Sequence, residues 1–352
     1  MSEKYEFRGN RYRHDAALNR WIARAWREQA LEPDLPIIDA HHHLWDDDRG
    51  TYLLPDLVAD IRGGHNIRAT VFVECTAMYR ADGPEAMRPL GEIEFVNGIS
   101  AMSASGGYGP FRVAAAIVGR ADFRLGEKVQ DVLEAQIALA GGRLRGIRYS
   151  IPFDVTGEID KYFPRVVLPG QSADPTWRVG YSCLAKYGLT YDVWCYHLQI
   201  PELNALARAF PDITIILDHV GGPLGVGPYA SRKTEVFKEW RHSITELADC
   251  PNVVVKLGGL GMLTFGFNLH LGDLPPSSEV LASTWKPFIE TCIDAFGVDR
   301  CMYEANFPQD KQSCDYNACW NAFKRISAGA SASEKSALFS GTSARVYQLD
   351  IP

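Results

Sequence analysis

The run IIDAHHHLW ends an apolar stretch with three imidazoles, and two of them, His41 and His43, alternate along the chain. In an extended strand alternate residues share a face. Two neutral imidazoles on one face can grip a divalent ion of the zinc type. The same pair could instead polarise a substrate through hydrogen bonds, with no metal bound. His42, of opposite parity, is expected to turn away into the surrounding layer. A working metal site needs at least three protein ligands, and His197, after LTYDVWCY, and Glu304, in RCMYEANFPQD, are the candidates for the third.

His219 ends ITIILDH, and its shared parity with Ile215 and Leu217 predicts a ring aimed at the same region, as ligand, proton shuttle or electrophile. The GGP that follows lets the chain turn sharply there. Glu304 shares a face with Met302 and Asn306 and is a candidate base or ligand, with a buried ion pair to Lys256 of VVVKL as the structural alternative. Lys256 itself is otherwise a candidate substrate-binding cation. Arg145 and Arg148 bracket LRGIRYS, and a guanidinium at a strand end offers a planar fork for a carboxylate or a lactone oxygen. Tyr149, Trp194, Tyr196 and Trp45 are candidates for an aromatic wall. His14, His65, His242 and His270 fall in helical or loop contexts and are expected to be solvated.

Something must bring these scattered groups together. Eight β-rich runs are evident: Pro36–Asp39, Ala69–Val73, Arg112–Val118, Leu144–Tyr149, Leu189–Trp194, Ile213–Leu217, Val253–Leu257 and Arg300–Tyr303. Several are apolar without alternation, as parallel strands covered on both faces require. Helix-like segments at Gly126–Ala140, Pro201–Phe210, Thr234–Ala248 and Trp285–Phe296 lie between them. Strand alternating with helix eight times is the pattern of an α/β fold of the (β/α)8 TIM-barrel type, which gathers its site at the strand C-termini. A doubly wound nucleotide-binding sheet would place a Gly-rich turn where HHHLWDDD stands. The expected organisation is a helical N-terminal extension over 1–35, its helix within 12–30, followed by one barrel over 36–352. Long loops at 152–180, 221–232 and 258–279 follow strand ends, as lids or as passive caps.

The 352 residues are 46% hydrophobic and 22% charged, ordinary for a globular protein. A net charge of -7 disfavours nucleic acid and anionic membranes. No run of about eighteen apolar residues is available to span a bilayer, and the first residues lack the apolar stretch of a secretory leader. A cytoplasmic location and a small-molecule substrate are therefore expected, with a homo-oligomer left open. Eight cysteines show neither a CxxC pair nor a regular framework, which points to reduced core thiols.

In order along the chain, IIDAHHHLW, LRGIRYS, LDHVGGP, VVVKLGGLGM and YEANFP resemble the amidohydrolase-2 group of the amidohydrolase superfamily, TIM-barrel hydrolases that include lactonases. The resemblance covers roughly residues 36–350. It matches His41 and His43 to the first-strand pair, His219 to the sixth-strand histidine and Arg148 to the fourth-strand arginine. Asn306 falls where members carry an aspartate that serves as base; an amide cannot accept a proton at neutral pH. No fourth-strand lysine or carboxylate stands ready to bridge two ions. The resemblance thus implies at most one divalent ion, zinc foremost, and leaves metal-free catalysis open. The activity expected is opening of a lactone or related cyclic ester of a small acidic substrate. A metal-dependent non-oxidative decarboxylase and a catalytically silent small-acid-binding barrel are the alternatives.

Overall fold

Apolar runs such as IRATVFV and NVVVKL become strands because both of their faces are covered, by the cylinder interior on one side and by helices on the other. The computed structural model describes residues 15–162 and 167–350. Eight strands form one sheet in sequence order: β1 (Ile37–His42), β2 (Ile67–Val73), β3 (Arg112–Gly119), β4 (Leu144–Arg148), β5 (Thr190–Val193), β6 (Ile215–Leu217), β7 (Val253–Leu257) and β8 (Cys301–Tyr303). Neighbours are parallel throughout. Every expected strand is present, with ends displaced by no more than three residues.

The cylinder closes just beyond β8. The His43 amide donates to Phe307 O at 2.8 Å and the Asn306 amide to His41 O at 2.9 Å. The Asp39 carboxylate adds a side-chain acceptor for the Ala305 amide at 2.9 Å. Residues of the candidate site thus form the seam of the barrel.

Inside, Ile38, Ala40, Ala69, Val71, Ala116, Ile216, Val254 and Met302 pack around Tyr347 of the C-terminal segment and fill one half with apolar groups. Outside, Ile215, Leu217, Val253 and Val255 join the layer against the helices. All eight cysteines are free, and all but Cys183 are buried, so they pack as small hydrophobes.

The N-terminal helix is shorter than the sequence pattern suggests. It spans Asp15–Ile22; Leu18 and Trp21 are buried, whereas Trp26 is 82% exposed, so the segment has no apolar face left to dock beyond Ile22. Trp21 fastens it to the loop after β7 through Nε1 to Gly272 O at 3.0 Å. His14 lies outside the described residues. The loops after β4 and β7 are shortened by helices at Pro175–Tyr187 and Ser278–Phe296, each capped by the residue before it, Asp174 and Ser277. His65 is not solvated: it is buried, and its ring lies against Asn317 O and the Lys324 ammonium at 3.2 and 2.9 Å. Among the described residues no helix is long and apolar enough to cross a membrane.

Candidate active site

The register of β1 against β2 slips between Asp39 and His42, where three residues on β1 span two on β2. Such a bulge re-aims side chains. His41 and His43 converge, with their Nε2 atoms 3.2 Å apart. His42 bonds Thr70 Oγ1 at 2.9 Å and packs on Phe72, apart from the site as parity predicts.

The far side of each ring fixes its proton. His43 Nδ1 lies 2.7 Å from Val73 O, an acceptor only, so this nitrogen carries hydrogen and Nε2 keeps its lone pair. His41 Nδ1 lies 2.9 Å from Glu304 Oε2 and 3.2 Å from Lys256 Nζ. Burial alone would raise the Glu304 carboxyl, but His219 and His41 beside it bring it down to about 2, so it is an acceptor at neutral pH. Lys256 has carboxylates of its own. The His41 proton therefore belongs on Nδ1, toward Glu304. Burial first, and Lys256 second, hold His41 well below the ordinary imidazole value; burial and Arg148 do the same for His43. Two neutral rings thus face each other lone pair to lone pair.

His219 arrives by a route that strand parity does not describe. Ile215 and Leu217 face the helices, while Ile216 faces the interior; continued alternation would turn His219 outward. Instead β6 ends at Leu217, and His219 takes a left-handed conformation, φ 55, followed by Val220 at φ 48. This reversal swings the ring back, placing its centroid 4.7 Å from that of His41. Its Nδ1 donates to Glu304 Oε1 at 2.6 Å. Room for the contact comes from the Gly258-Gly259 pair after β7. A Cβ on Gly259 would sit 2.2 Å from His219 Nδ1, and one on Gly258 2.1 Å from Glu304 O.

Below the rings lies a charged layer in which Lys256 and Arg148, singled out from the sequence, meet Asp192, Asp218 and Glu74, which were not. Lys256 is fully buried, 2.7 Å from Asp192 Oδ2 and 3.1 Å from Asp218 Oδ1. It is neither the ion-pair partner of Glu304, which is held by the two histidines, nor exposed to a substrate. Tyr347 donates to Asp192 Oδ2 at 2.7 Å from the apolar side. Arg148 donates through Nε to Glu74 Oε1 at 3.0 Å and through Nη2 to Glu74 O, leaving Nη1 3.4 Å from His41 Nε2. Alternation could have flagged Asp192 and Asp218, since each shares the inward parity of its strand; Glu74, one residue past β2, carries no comparable signal.

Above the rings a narrow cavity of about 50 Å³ is walled by His43, His219, Arg148, Trp45, Trp194 and Asn306, among others. Asn306, at φ 55, donates through Nδ2 to Asp310 Oδ1 at 2.8 Å. Other expected site residues lie elsewhere. Arg145 sits at the opposite end of β4, bonded to Tyr347 O at 2.8 Å and Gly142 O at 2.6 Å, because two residues of strand, Gly146 and Ile147, separate it from Arg148. Tyr149 turns outward beneath the Arg120 guanidinium, and Tyr196 packs behind Trp194. His197 is not with the other imidazoles: β5 has already ended, and the ring packs on Tyr229 with Nδ1 3.4 Å from the Leu224 amide. Among the described residues, the trio offering ligand atoms within 4.8 Å of one another is His41, His219 and Glu304.

A family model described as amidohydrolase matches residues 38–349. An uncharacterised protein of Sinorhizobium fredii is 35% identical over 338 residues, 90% of this chain and 99% of its own length. An L-fucono-1,5-lactonase of Burkholderia multivorans is 28% identical over 242 residues, 68% of this chain and 73% of its own. Among solved structures, an amidohydrolase from Burkholderia multivorans with bound zinc superposes with a TM-score of 0.66 at 23% identity, covering 89% of this chain and 99% of that one.

Proposed function

Because the chain belongs to the amidohydrolase family, we propose that it is a lactonase, opening a cyclic ester by attack of water on the ring carbonyl. The observation that carries this reading is the convergence of His41, His43 and His219 beneath one cavity, which His43 and His219 line, with Glu304 behind two of the rings. The lactonase relative in Burkholderia supports it.

The residues fit a single divalent ion. Two imidazoles bound to one ion with bonds of about 2.0–2.1 Å and a tetrahedral angle would hold their nitrogens roughly 3.4 Å apart; the Nε2 atoms of His41 and His43 lie 3.2 Å apart with no proton between them. Around them four buried carboxylates, Glu74, Asp192, Asp218 and Glu304, face two buried cations, Arg148 and Lys256, an imbalance a dication would correct. His41 and His43 would hold the ion, with His219 within reach; Glu304 stands on the Nδ1 side of His219 and His41 and supports both rings. Zinc is the ion in the solved relative. When bound, such an ion supplies Lewis acidity and an easily ionised water.

The side chains perform the remaining tasks. Glu304 accepts the Nδ1 proton of His219, which fixes that tautomer and makes Nε2 the base that takes a proton from water. The same ring returns the proton to the leaving alkoxide. Arg148 Nη1 is placed to donate to the carbonyl oxygen as negative charge builds there. Asn306 orients rather than accepting a proton, which is why the base must lie elsewhere.

A panel of lactones read by proton release tests the reaction. We expect ring opening by the wild type and, for Glu304→Gln, a fall in kcat of about 10²–10⁴; unaltered hydrolysis across pH would remove Glu304 from the chemistry. Carbon dioxide release from an unsaturated acid, without lactone hydrolysis, would favour a decarboxylase. Elemental analysis of protein purified without chelator is expected to give one divalent ion per chain.

A further inference from the structure

The walls of the cavity present hydrogen-bond acceptors that the protein itself leaves unmet. Asn306 Oδ1 and Ser150 Oγ, on residues 1% and 4% exposed, have no hydrogen-bond partner. An adjoining chamber shares Trp194, Met262 and Gln309 with the main cavity, and there Gln312, 1% exposed, leaves Oε1 equally unmet. The orientation of the Gln312 amide is set by chemistry. Its Nε2 lies 3.0 Å from Gln309 O, which can only accept, so the nitrogen belongs there and the oxygen is left over. At Asn306 the Asp310 carboxylate holds Nδ2 in the same way.

Buried acceptors without donors cost free energy unless a bound molecule brings the donors. The positive groups of the cavity wall, meanwhile, are committed apart from Arg148 Nη1. Arg148 is bound to Glu74 through two nitrogens. Arg49 is bound to Asp47 and, at 3.0 Å, to Cys75 O. A substrate carboxylate would meet amide oxygens, because the one guanidinium nitrogen left over, Arg148 Nη1, serves the reacting carbonyl. A substrate hydroxyl would meet an acceptor.

We infer that Asn306, Ser150 and Gln312 read hydroxyl groups on the substrate, and that the substrate is a neutral polyhydroxylated lactone rather than a carboxylated one. This rests on the lactonase reading above and narrows it. Asn306 and Ser150 take hydroxyl protons close to the reacting carbonyl; Gln312 takes one farther along the molecule, in the side chamber past Trp194. The substitution of an amide for an acid at position 306 then has a positive role, because an amide oxygen accepts from a hydroxyl without adding charge beside Glu304.

The test compares three lactones of the same ring size: one fully hydroxylated, one lacking the ring hydroxyls, and one carrying carboxylates. Wild-type kcat/KM should favour the hydroxylated ring over the bare ring by about a hundredfold or more. In Gln312→Met and in Ser150→Ala, each verified as folded by its melting transition, that ratio should shrink about tenfold. An unchanged ratio in both variants, or best turnover on the carboxylated ring, overturns the inference. If no lactone is opened, the reaction assignment fails on its own. Hydroxyl recognition is then decided by calorimetric titration with a non-hydrolysable polyhydroxylated lactam: weaker binding by both variants sustains it, and equal binding or none overturns it.

Discussion

The two halves of the barrel interior are built on opposite principles. Toward the strand N-termini, apolar side chains from six strands close around Tyr347, and their business there is exclusion of water. Toward the C-termini, within a strand residue or two, Asp192, Asp218, Lys256, Glu304 and His41 lie fully buried in mutual contact. Buried ions cost desolvation that their attraction seldom repays. A fold that needed only stability would have continued the aliphatic filling upward. The contrast teaches that the floor supplies the stability that allows the mouth to hold charge in fixed positions.

That contrast can be broken by experiment. Lys256→Met should have the largest effect, because it leaves Asp192 and Asp218 buried without their shared cation; a loss of about 3–5 kcal/mol is expected in urea denaturation. A loss below about 1 kcal/mol would mean the charged layer carries little of the electrostatic load assigned to it. Next comes the floor: Met302→Ala should cost about 2–5 kcal/mol through cavity formation, while kcat/KM for a hydrolysed lactone is retained, since Met302 belongs to the apolar cluster around Tyr347. An equal collapse of activity would show the halves to be coupled. The smallest effect probes the boundary. Tyr347→Phe keeps the ring among the aliphatic groups and removes only the bond to Asp192, costing about 1.5–3 kcal/mol.

The floor was also the more legible half. Unbroken apolar runs mark β2, β6 and β7 because parallel strands buried on both faces leave little room for polar residues, and eight such runs in alternation with helices define the architecture. At the mouth, legibility stopped where regular strand geometry stops. His41 and His43 were readable from their spacing and Glu304 from its strand. His219 was placed correctly for a wrong reason, since a left-handed turn rather than alternation brings its ring inward. His197 and Arg145 had the right chemistry in the wrong places, one past the end of β5 and one at the far end of β4. Glu74 and the pairing of Lys256 with Asp192 and Asp218 depend on contacts across tens of residues, which no local pattern encodes.

One further consequence follows from the seam. The amides that stitch the last strand to the first belong to His43 and Asn306, so the reacting rings ride on the hoop that keeps the cylinder shut. Whenever that hoop slackens, the imidazoles disperse while most of the molecule stays intact. Deuterium uptake at those two amides should therefore track the decline of turnover on warming, at temperatures where the bulk of the protein has yet to melt.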